Sequence, residues 1–293
     1  ALIHALMKIG AVLVPLNTRL TSDELRYQVI QSECALLIYD SAHADKAQAL
    51  NIAALLIDYL HDAPDDTPLS RTLNLDEPQT IMFTSGTSGK PKGAILTYAN
   101  QFYSATASAF RLGVLPDDRW LCCLPLFHIG GLAIVLRSAQ YGTAIILHDG
   151  FAVDPVNDAI DTQHVSLISL VPTMLHRLLE KREPHPFPKT LRMILLGGAA
   201  ATVDLVTRAQ SLGAPVATTY GLTEASSQVA TQVPELTQHK PASVGRAVPF
   251  ASLRVVDDKG RDVAQGTIGE VWVNGATVMH GYFNDHTSTR QTL

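Results

Sequence analysis

The decapeptide TSGTSGKPKG occupies residues 84–93 and follows a strand-like apolar run at residues 80–83. It combines hydroxyl side chains, glycines and two lysines. Glycines allow the backbone to turn N–H groups towards an anion, hydroxyls add donors, and lysines supply positive charge. The segment therefore predicts a loop that binds a polyphosphate, and an ordinary surface turn is the less favoured interpretation.

This loop differs from the common nucleotide-binding P-loop. Only two residues separate Gly86 from Gly89, and Pro91 stands where that motif requires Ser or Thr.

The decapeptide instead resembles the signature loop of the adenylate-forming superfamily, which comprises acyl-CoA ligases, peptide-synthetase adenylation domains and luciferases. The resemblance implies that the loop handles the β- and γ-phosphates of ATP while a carboxylate attacks the α-phosphate. Lys92 matches the characteristic lysine of that loop. The other residues expected at the phosphates are Thr84, Ser85, Gly86, Thr87, Ser88, Gly89 and Lys90.

A second segment, YGLTE at residues 220–224, resembles another superfamily signature. The resemblance implies that Tyr220 packs on adenine, that Thr223 contacts the α-phosphate, and that Glu224 holds Mg²⁺ together with Thr84. A carboxylate suits this hard cation. Taken alone, the pentapeptide also fits a helix cap with an acidic first turn.

The segment LGGAA at residues 196–200 ends another predicted strand. Its glycines fit tight strand-to-helix packing, and in the superfamily this segment borders the acyl pocket and the adenine. Both interpretations can hold together. The nucleotide-binding residues predicted in this segment and around the YGLTE motif are Gly197, Gly198, Ala199, Thr219, Tyr220 and Gly221.

The segment LPLFH at residues 124–128 resembles the part of the superfamily that places an aromatic residue or histidine beside the substrate carboxylate. His128 is therefore a candidate catalytic residue, although a lone histidine is more often a surface or core residue.

Within the superfamily, three segments resemble the ligases that join CoA to o-succinylbenzoate in menaquinone or phylloquinone synthesis: residues 125–132, 169–175 and 219–228. Such a substrate has two carboxylates, of which one is activated and the other must be held. A buried carboxylate costs several kcal/mol unless it meets charge or donors. For Arg137, a solvated helix position remains an equal alternative. The substrate-binding candidates are His128, Gly131, Arg137, Ser226, Ser227 and Gln228.

Apolar runs alternate with amphipathic segments, which predicts an α/β architecture with largely parallel sheets. The resemblance implies the large N-terminal domain of the superfamily, with two mainly parallel sheets sandwiched by helices and the start of a small β-barrel-like unit. We expect the α/β body at residues 1–242 and an incomplete β subdomain at residues 243–293, with antiparallel strands at 252–256 and 269–273. The other predicted strands are residues 12–16, 35–39, 54–57, 80–84, 120–124, 143–147, 166–171, 192–196 and 216–219.

The two ends of the sequence predict a fragment. The chain starts in what reads as mid-helix and stops where another helix begins. Judged by the superfamily, about fifty preceding residues, the ribose-binding aspartate and the small C-terminal domain with its catalytic lysine are missing. We therefore expect weak nucleotide binding and poor turnover from this chain.

Bulk composition excludes several classes of partner. The chain is 46% hydrophobic and 17% charged with a net charge of −5, so neither disorder nor a nucleic-acid or anionic-membrane surface is expected. No apolar stretch approaches the roughly 20 residues that span a bilayer. Cys34, Cys122 and Cys123 lack metal-ligand spacing and predict buried thiols in the cytoplasm.

The predicted reaction has two steps, in which an acyl-adenylate forms from a small carboxylic acid and ATP with Mg²⁺, and CoA thiolate then displaces AMP. Two rival hypotheses stay open. One is another acid–CoA ligase or an adenylation domain that loads a carrier protein, and the other is a nucleotide-binding remnant without turnover. The sequence also leaves a homodimer open.

Overall fold

The computed structural model describes residues 1–61, 72–84 and 90–293. These residues form two compact units, one of Ala1–Tyr98 with Met279–Leu293 and one of Ala99–Val278. The helices are α1 (Leu2–Ile9), α2 (Ser22–Gln31), α3 (Ala44–Ala49), α4 (Tyr98–Leu112), α5 (Ile129–Tyr141), α6 (Val153–Thr162), α7 (Pro172–Arg182), α8 (Val203–Ser211), α9 (Pro234–Thr237) and α10 (His286–Thr292). The strands are β1 (Leu37–Tyr39), β2 (Ala54–Leu56), β3 (Pro78–Thr84), β4 (Lys92–Thr97), β5 (Arg119–Cys122), β6 (Ala144–Leu147), β7 (Leu167–Leu170), β8 (Met193–Leu196), β9 (Val216–Leu222), β10 (Ser227–Gln232), β11 (Arg246–Ala247), β12 (Ala251–Val256), β13 (Glu270–Gly275) and β14 (Gly281–Tyr282).

The first unit contains a three-stranded sheet in the order β14-β4-β3, and both pairings are antiparallel. The mainly parallel pairing expected for both sheets is therefore wrong for this one. The reason is the short connection between Thr84 and Lys92, because a parallel crossover needs about a dozen residues or more. The strand expected at residues 12–16 is reduced to one parallel bridge between Leu13 and Thr80. Pro15 lacks the N–H that a longer ladder would need.

The second unit is built on a seven-stranded sheet with the order β11-β10-β9-β8-β7-β5-β6. The five strands from β5 to β9 are parallel to one another, whereas β10 pairs antiparallel with β9 and with β11. The predicted α/β class with a mainly parallel sheet is confirmed here.

Both faces of this sheet are buried, as the nearly uniform apolar strands predict. On one face, Leu121 and Ile168 pack with helix residues such as Leu178. On the other face, Trp120 packs with Ile134 of α5. The alternation follows from the two-residue period of a strand.

The predicted antiparallel strands near the end of the chain are β12 and β13, which pair from Ala251↔Gly275 to Val256↔Glu270. Residues 257–269 connect them, starting with a turn in which the N–H of Gly260 donates to the carbonyl oxygen of Asp257. The domain boundary at residue 242 stays a prediction.

The described cysteines are free thiols, two of them buried and Cys34 half-buried. Burial raises the pKa of Cys122 to about 11 and that of Cys123 to about 12. Both thiols are therefore protonated at neutral pH and unsuited to nucleophilic chemistry. In the part of the chain that the structure describes, every helix is too short or too polar to cross a bilayer.

Candidate active site

The predicted motifs of the second unit meet at one edge of its sheet. Strands β5, β7, β8 and β9 are parallel, so their carboxyl ends lie at the same edge. The LPLFH segment follows β5, the LGGAA segment follows β8, and Thr223 and Glu224 follow β9. Sequence spacing alone did not establish this convergence.

The strand order also contains a switch point between β5 and β7. The chain passes from β5 through α5 to β6 on one side, and later adds β7 on the other side of β5. In open α/β sheets, ligands bind outside the carboxyl ends at such a point. His128 lies there, exposed at the position preceding α5, and its ring centroid is 4.6 Å from that of Phe127.

Glycine is required at the start of α5. A Cβ on Gly131 would lie 2.3 Å from the carbonyl oxygen of Pro125, closer than atoms can approach. Gly131 therefore allows the helix to pack on the backbone that leads to His128. Its predicted contact with substrate stays a prediction.

Both interpretations of the LGGAA segment find support in the geometry. A Cβ on Gly197 would lie 2.6 Å from Cγ2 of Thr219, so the glycine permits close packing between β8 and β9. Gly198 has a φ of 78°, and Gly198 and Ala199 are exposed at the carboxyl edge. Their backbone is therefore accessible to a ligand.

The YGLTE segment forms the end of β9 and a short 3₁₀ turn at Thr223–Ala225, which leads into antiparallel β10. The helix cap considered for this motif is wrong, because the chain reverses as a hairpin. Ser226 and Ser227 have φ values of 54° and 101°. Such conformations cost about 1–3 kcal/mol each in residues other than glycine and concentrate at functional sites.

Gly221 explains how this hairpin closes. A Cβ at Gly221 would lie 1.8 Å from the carbonyl oxygen of Ser227. The adjacent Tyr220 ring is exposed and Glu224 is half-buried. The hairpin thus leaves Tyr220 accessible to a ligand.

Mg²⁺ takes most of its ligands from substrate phosphates and water, and Glu224 and Thr84, the residues proposed to bind it, suit such a cation. Among the residues placed by the structure, no cluster of three His, Cys, Asp or Glu side chains is found. Mg²⁺ is usually bound by one or two carboxylates together with substrate phosphates, which matches Glu224. In the first unit, Oγ1 of Thr84 is buried without a hydrogen-bond partner at the end of β3. This hydroxyl is available to a cation or a phosphate.

Lys92 is the first residue of β4 and lies near the end of the 84–93 segment. Its Nζ lies 5.3 Å from the ring centroid of Tyr282. Hydrogen bonds from Ser288 hold the pKa of Asp285 below its ordinary value, and the charge of Lys92 adds a smaller effect. Lys90 and Lys92 both line a cavity of about 440 Å³ within this unit. The predicted phosphate contacts of Ser85, Gly86, Thr87, Ser88 and Gly89 lie outside the described residues.

Arg137 is buried in α5, with only 2% of its surface exposed. The alternative of a solvated helix position is therefore wrong. Its Nη2 lies 3.4 Å from Oγ of Ser104, and its Nε has no hydrogen-bond partner. Burial lowers the pKa of the guanidinium from its ordinary value. In the described part of the chain no carboxylate pairs with this cation, which is unusual because buried charges are normally paired.

The other predicted acid-binding residues lie on the β9–β10 hairpin. Oγ of Ser226 and Oε1 of Gln228 are buried without hydrogen-bond partners, and Ser227 is half-buried. Ser104 of α4 donates from Oγ to the carbonyl oxygen of Ser226. Sequence reasoning missed Ser104. The available signal was a pair of serines, Ser104 and Ser108, spaced by one helical turn.

The predicted motifs at the strand ends of this sheet edge have the organisation expected of an adenylate-forming enzyme. A family model described as AMP-binding enzyme matches residues 1–283, and the chain belongs to that family.

The relatives that it matches are acid–CoA ligases. It is 39% identical over 291 residues to a 2-succinylbenzoate–CoA ligase of Bacillus cereus, covering 99% of this chain and 60% of the relative. The o-succinylbenzoate CoA synthetase of Bacillus subtilis, solved with the acyl-adenylate intermediate OSB-AMP, has a TM-score of 0.94 and 35% identity, covering 100% of this chain and 60% of that one. The same synthetase solved with ATP and magnesium ion has a TM-score of 0.93 at 35% identity, covering 99% and 61%.

A more distant solved structure is the N-terminal domain of FACL13 from Mycobacterium tuberculosis. Its TM-score is 0.91 at 28% identity, covering 100% of this chain and 76% of that one. The chain spans about 60% of the length of the curated relatives that it matches.

Proposed function

We propose that this protein is the adenylating part of an ATP-dependent ligase that activates an aromatic dicarboxylic acid, o-succinylbenzoate, for transfer to CoA. The observation that carries this proposal is Arg137, a buried cation without a carboxylate partner in the described structure. A tunnel for a fatty acid has no need of such a group. An acid with a second carboxylate would neutralise it.

The position of Arg137 supports this role. An α-helix rises about 1.5 Å per residue, so Arg137 lies about 12 Å along α5 from Ile129 at the carboxyl edge. Side chains of a helix tilt towards its N-terminus. The guanidinium therefore reaches back towards the edge where His128 lies. We propose that a small acid spans this distance, with its reacting carboxylate at the edge.

The nucleotide would lie at the exposed end of the β9–β10 hairpin. Tyr220 offers an exposed ring for adenine, and Thr223 a hydroxyl for the α-phosphate. Glu224, Thr84 and the 84–93 loop would hold Mg²⁺ and the β- and γ-phosphates. When bound, Mg²⁺ would offset negative charge on the phosphates.

Catalysis of adenylation then depends mainly on positioning the acid carboxylate against the α-phosphate and on stabilising the charge that develops on the phosphates. A carboxylate oxygen of the acid attacks the α-phosphorus, an acyl–phosphate bond forms, and the bond to the β-phosphate breaks to release pyrophosphate. We propose that His128 holds the reacting carboxylate. In the second step the CoA thiolate attacks the acyl carbon and AMP leaves with the electron pair.

The test compares binding of o-succinylbenzoate, its analogues that lack one carboxylate (4-oxo-4-phenylbutanoate and 2-butanoylbenzoate), and octanoate, each by isothermal titration. The analogue that lacks the carboxylate held by Arg137 should bind at least about tenfold more weakly than o-succinylbenzoate, because a hydrogen bond between charged groups is lost. Pyrophosphate release with Mg²⁺ and ATP should follow the same order of acids. Octanoate binding as tightly as the dicarboxylate would overturn the proposal.

A further inference from the structure

Ser104 joins two parts of the site that are far apart in the sequence. It is buried in α4, with 3% of its surface exposed. Its hydroxyl donates to the carbonyl oxygen of Ser226 on the β9–β10 hairpin, and its oxygen lies 3.4 Å from Nη2 of Arg137 in α5. A serine hydroxyl has one donor and two acceptor lone pairs. Donation to Ser226 therefore leaves the oxygen free to accept from Arg137, so both contacts can exist together.

The contact with Ser226 stabilises a strained turn. Ser226 is completely buried and has a φ of 54°, and Ser227 follows with a φ of 101°. Left-handed conformations of non-glycine residues persist only where the surroundings hold them. A buried carbonyl without a donor is unfavourable. The Ser104 hydroxyl supplies that donor at the turn that immediately follows Thr223 and Glu224.

The contact with Arg137 restrains the guanidinium. Arginine loses many rotamers when it is held in one orientation, and no described carboxylate supplies that restraint here. The Trp120 ring lies beneath the group, 6.0 Å from its Cζ. Ser104 accepts from one nitrogen of the guanidinium, and Nε has no hydrogen-bond partner.

We infer that Ser104 is a positioning residue that sets the preference of this site for dicarboxylic acids, because it locks Arg137 and the 223–227 turn into one hydrogen-bonded unit. This inference rests on the proposed function above. Ser104 touches neither reacting atom. Its effect is exerted through the orientation of the guanidinium and through the backbone that carries Thr223 and Glu224.

The sequence provides a local probe for the test. Its two tryptophans are Trp120 beneath Arg137 and Trp272, which is 46% exposed on β13. Trp272→Phe leaves Trp120 as the single fluorophore, and its emission reports on the nearby guanidinium. In this background, o-succinylbenzoate and its two single-carboxylate analogues are titrated against the parent, Ser104→Ala, Arg137→Gln and the double variant. The matched control is Ser108→Ala, which removes another buried hydroxyl one turn along α4.

We expect Ser104→Ala to reduce the ratio of dicarboxylate to single-carboxylate affinity about tenfold, and Ser108→Ala to keep it within about twofold. Adding Ser104→Ala to Arg137→Gln should not reduce the ratio further, because the two residues act as one unit. Equal weakening of all three acids by Ser104→Ala, or full additivity with Arg137→Gln, would show a merely structural role and overturn the inference. Ser104→Cys, which keeps the size and a weak donor, is expected to give an intermediate ratio and serves if the alanine variant does not fold.

Failure of the proposed function gives a different result. In that case the parent protein shows no preference for the dicarboxylate. The link between Ser104 and Arg137 is still tested by the ligand-free emission of Trp120. We expect this emission to change in Ser104→Ala and to stay unchanged in Ser108→Ala, and an unchanged spectrum in Ser104→Ala contradicts the inference.

Discussion

The guanidinium of Arg137 lies over the indole ring of Trp120, with 6.0 Å between Cζ and the ring centroid. The indole is itself held in place, since Nε1 donates to Oγ of Ser169 at 3.1 Å. A cation over an aromatic ring gains about 2 kcal/mol when it is desolvated, which is less than a buried charge loses. Arg137 is therefore held at an energetic cost in the absence of an anion.

That cost predicts that Arg137→Met stabilises the ligand-free protein by about 1–3 kcal/mol, because an uncompensated buried charge is replaced by an apolar side chain of similar length. The same variant should lose its preference for the dicarboxylic acid. Chemical denaturation without acid, followed by isothermal titration, measures both effects.

Arg182 is the matched control for this substitution. It is also buried, at 5% exposed, but it bonds to Asp161, to Oδ1 of Asn157 and to the carbonyl oxygen of Pro186. Arg182→Met should destabilise the protein by about 3 kcal/mol, because it leaves these partners unsatisfied. Similar losses in both variants would mean that Arg137 is compensated by the protein itself.

Glu224→Gln tests the proposed metal ligand. The amide keeps the size of the carboxylate and removes its charge, so ATP should bind about tenfold more weakly with Mg²⁺ and equally well in EDTA. Isothermal titration under both conditions separates the two effects. Glu235→Gln, at the start of α9, is the control and should leave ATP binding unchanged. A loss in EDTA as large as that in Mg²⁺ would argue against a metal ligand.

Asp118 predicts a pH-dependent stability. Burial alone would raise its pKa, but hydrogen bonds from Arg192, from the N–H of Leu115 and from Ser166 lower it below the ordinary value of 3.8. A lowered pKa in the folded state contributes stability above the unfolded pKa, and this contribution is lost as the pH falls through the folded pKa. Asp118→Asn should therefore cost about 3 kcal/mol at neutral pH, and the difference from the parent protein should shrink below about pH 4.

Urea denaturation between neutral pH and pH 3 measures this difference. Asp149→Asn, at an exposed position, should remain within about 0.5 kcal/mol of the parent throughout. A difference for Asp118→Asn that stays constant with pH would contradict the assignment.

Gly221→Ala tests the closure of the β9–β10 hairpin. The new Cβ would lie 1.8 Å from the carbonyl oxygen of Ser227, so the backbone must shift and about 1–3 kcal/mol of stability is lost. Nucleotide binding should weaken together with stability. Gly150→Ala meets no atom within 4 Å and should change stability by less than about 0.5 kcal/mol. Comparable thermal unfolding of the two variants would rule out this packing role.

Much of the fold was predictable because it depends on local pattern. The apolar runs that became β5, β7 and β8 are short and nearly uniform, and strands covered on both faces have this pattern. The sequence does not predict that Lys92–Thr97 forms a strand, because the loop motif extends to Gly93. Their pairing with β3 comes from a partner strand and from the short connection between the two.

The residues of the candidate site also differ in how well the sequence predicts them. The phosphate loop and the YGLTE motif were recognisable from residue types at fixed short spacing, since glycines, hydroxyls, lysines and a carboxylate carry that chemistry wherever the chain places them. Arg137 was a candidate, but an exposed helix position suited it equally well. Ser104 gives no signal beyond its spacing of one helical turn from Ser108.

The sequence by itself determined the family and the α/β class, because these depend on residues that are neighbours in the chain. Only the tertiary structure decided that Arg137 is buried without a carboxylate, that Ser104 bonds to Ser226, and that four strand ends meet at one edge. Burial and pairing are set by residues from separate elements, 122 positions apart for Ser104 and Ser226. Burial depends on how such distant elements pack and exclude water, and a local sequence pattern does not contain this information.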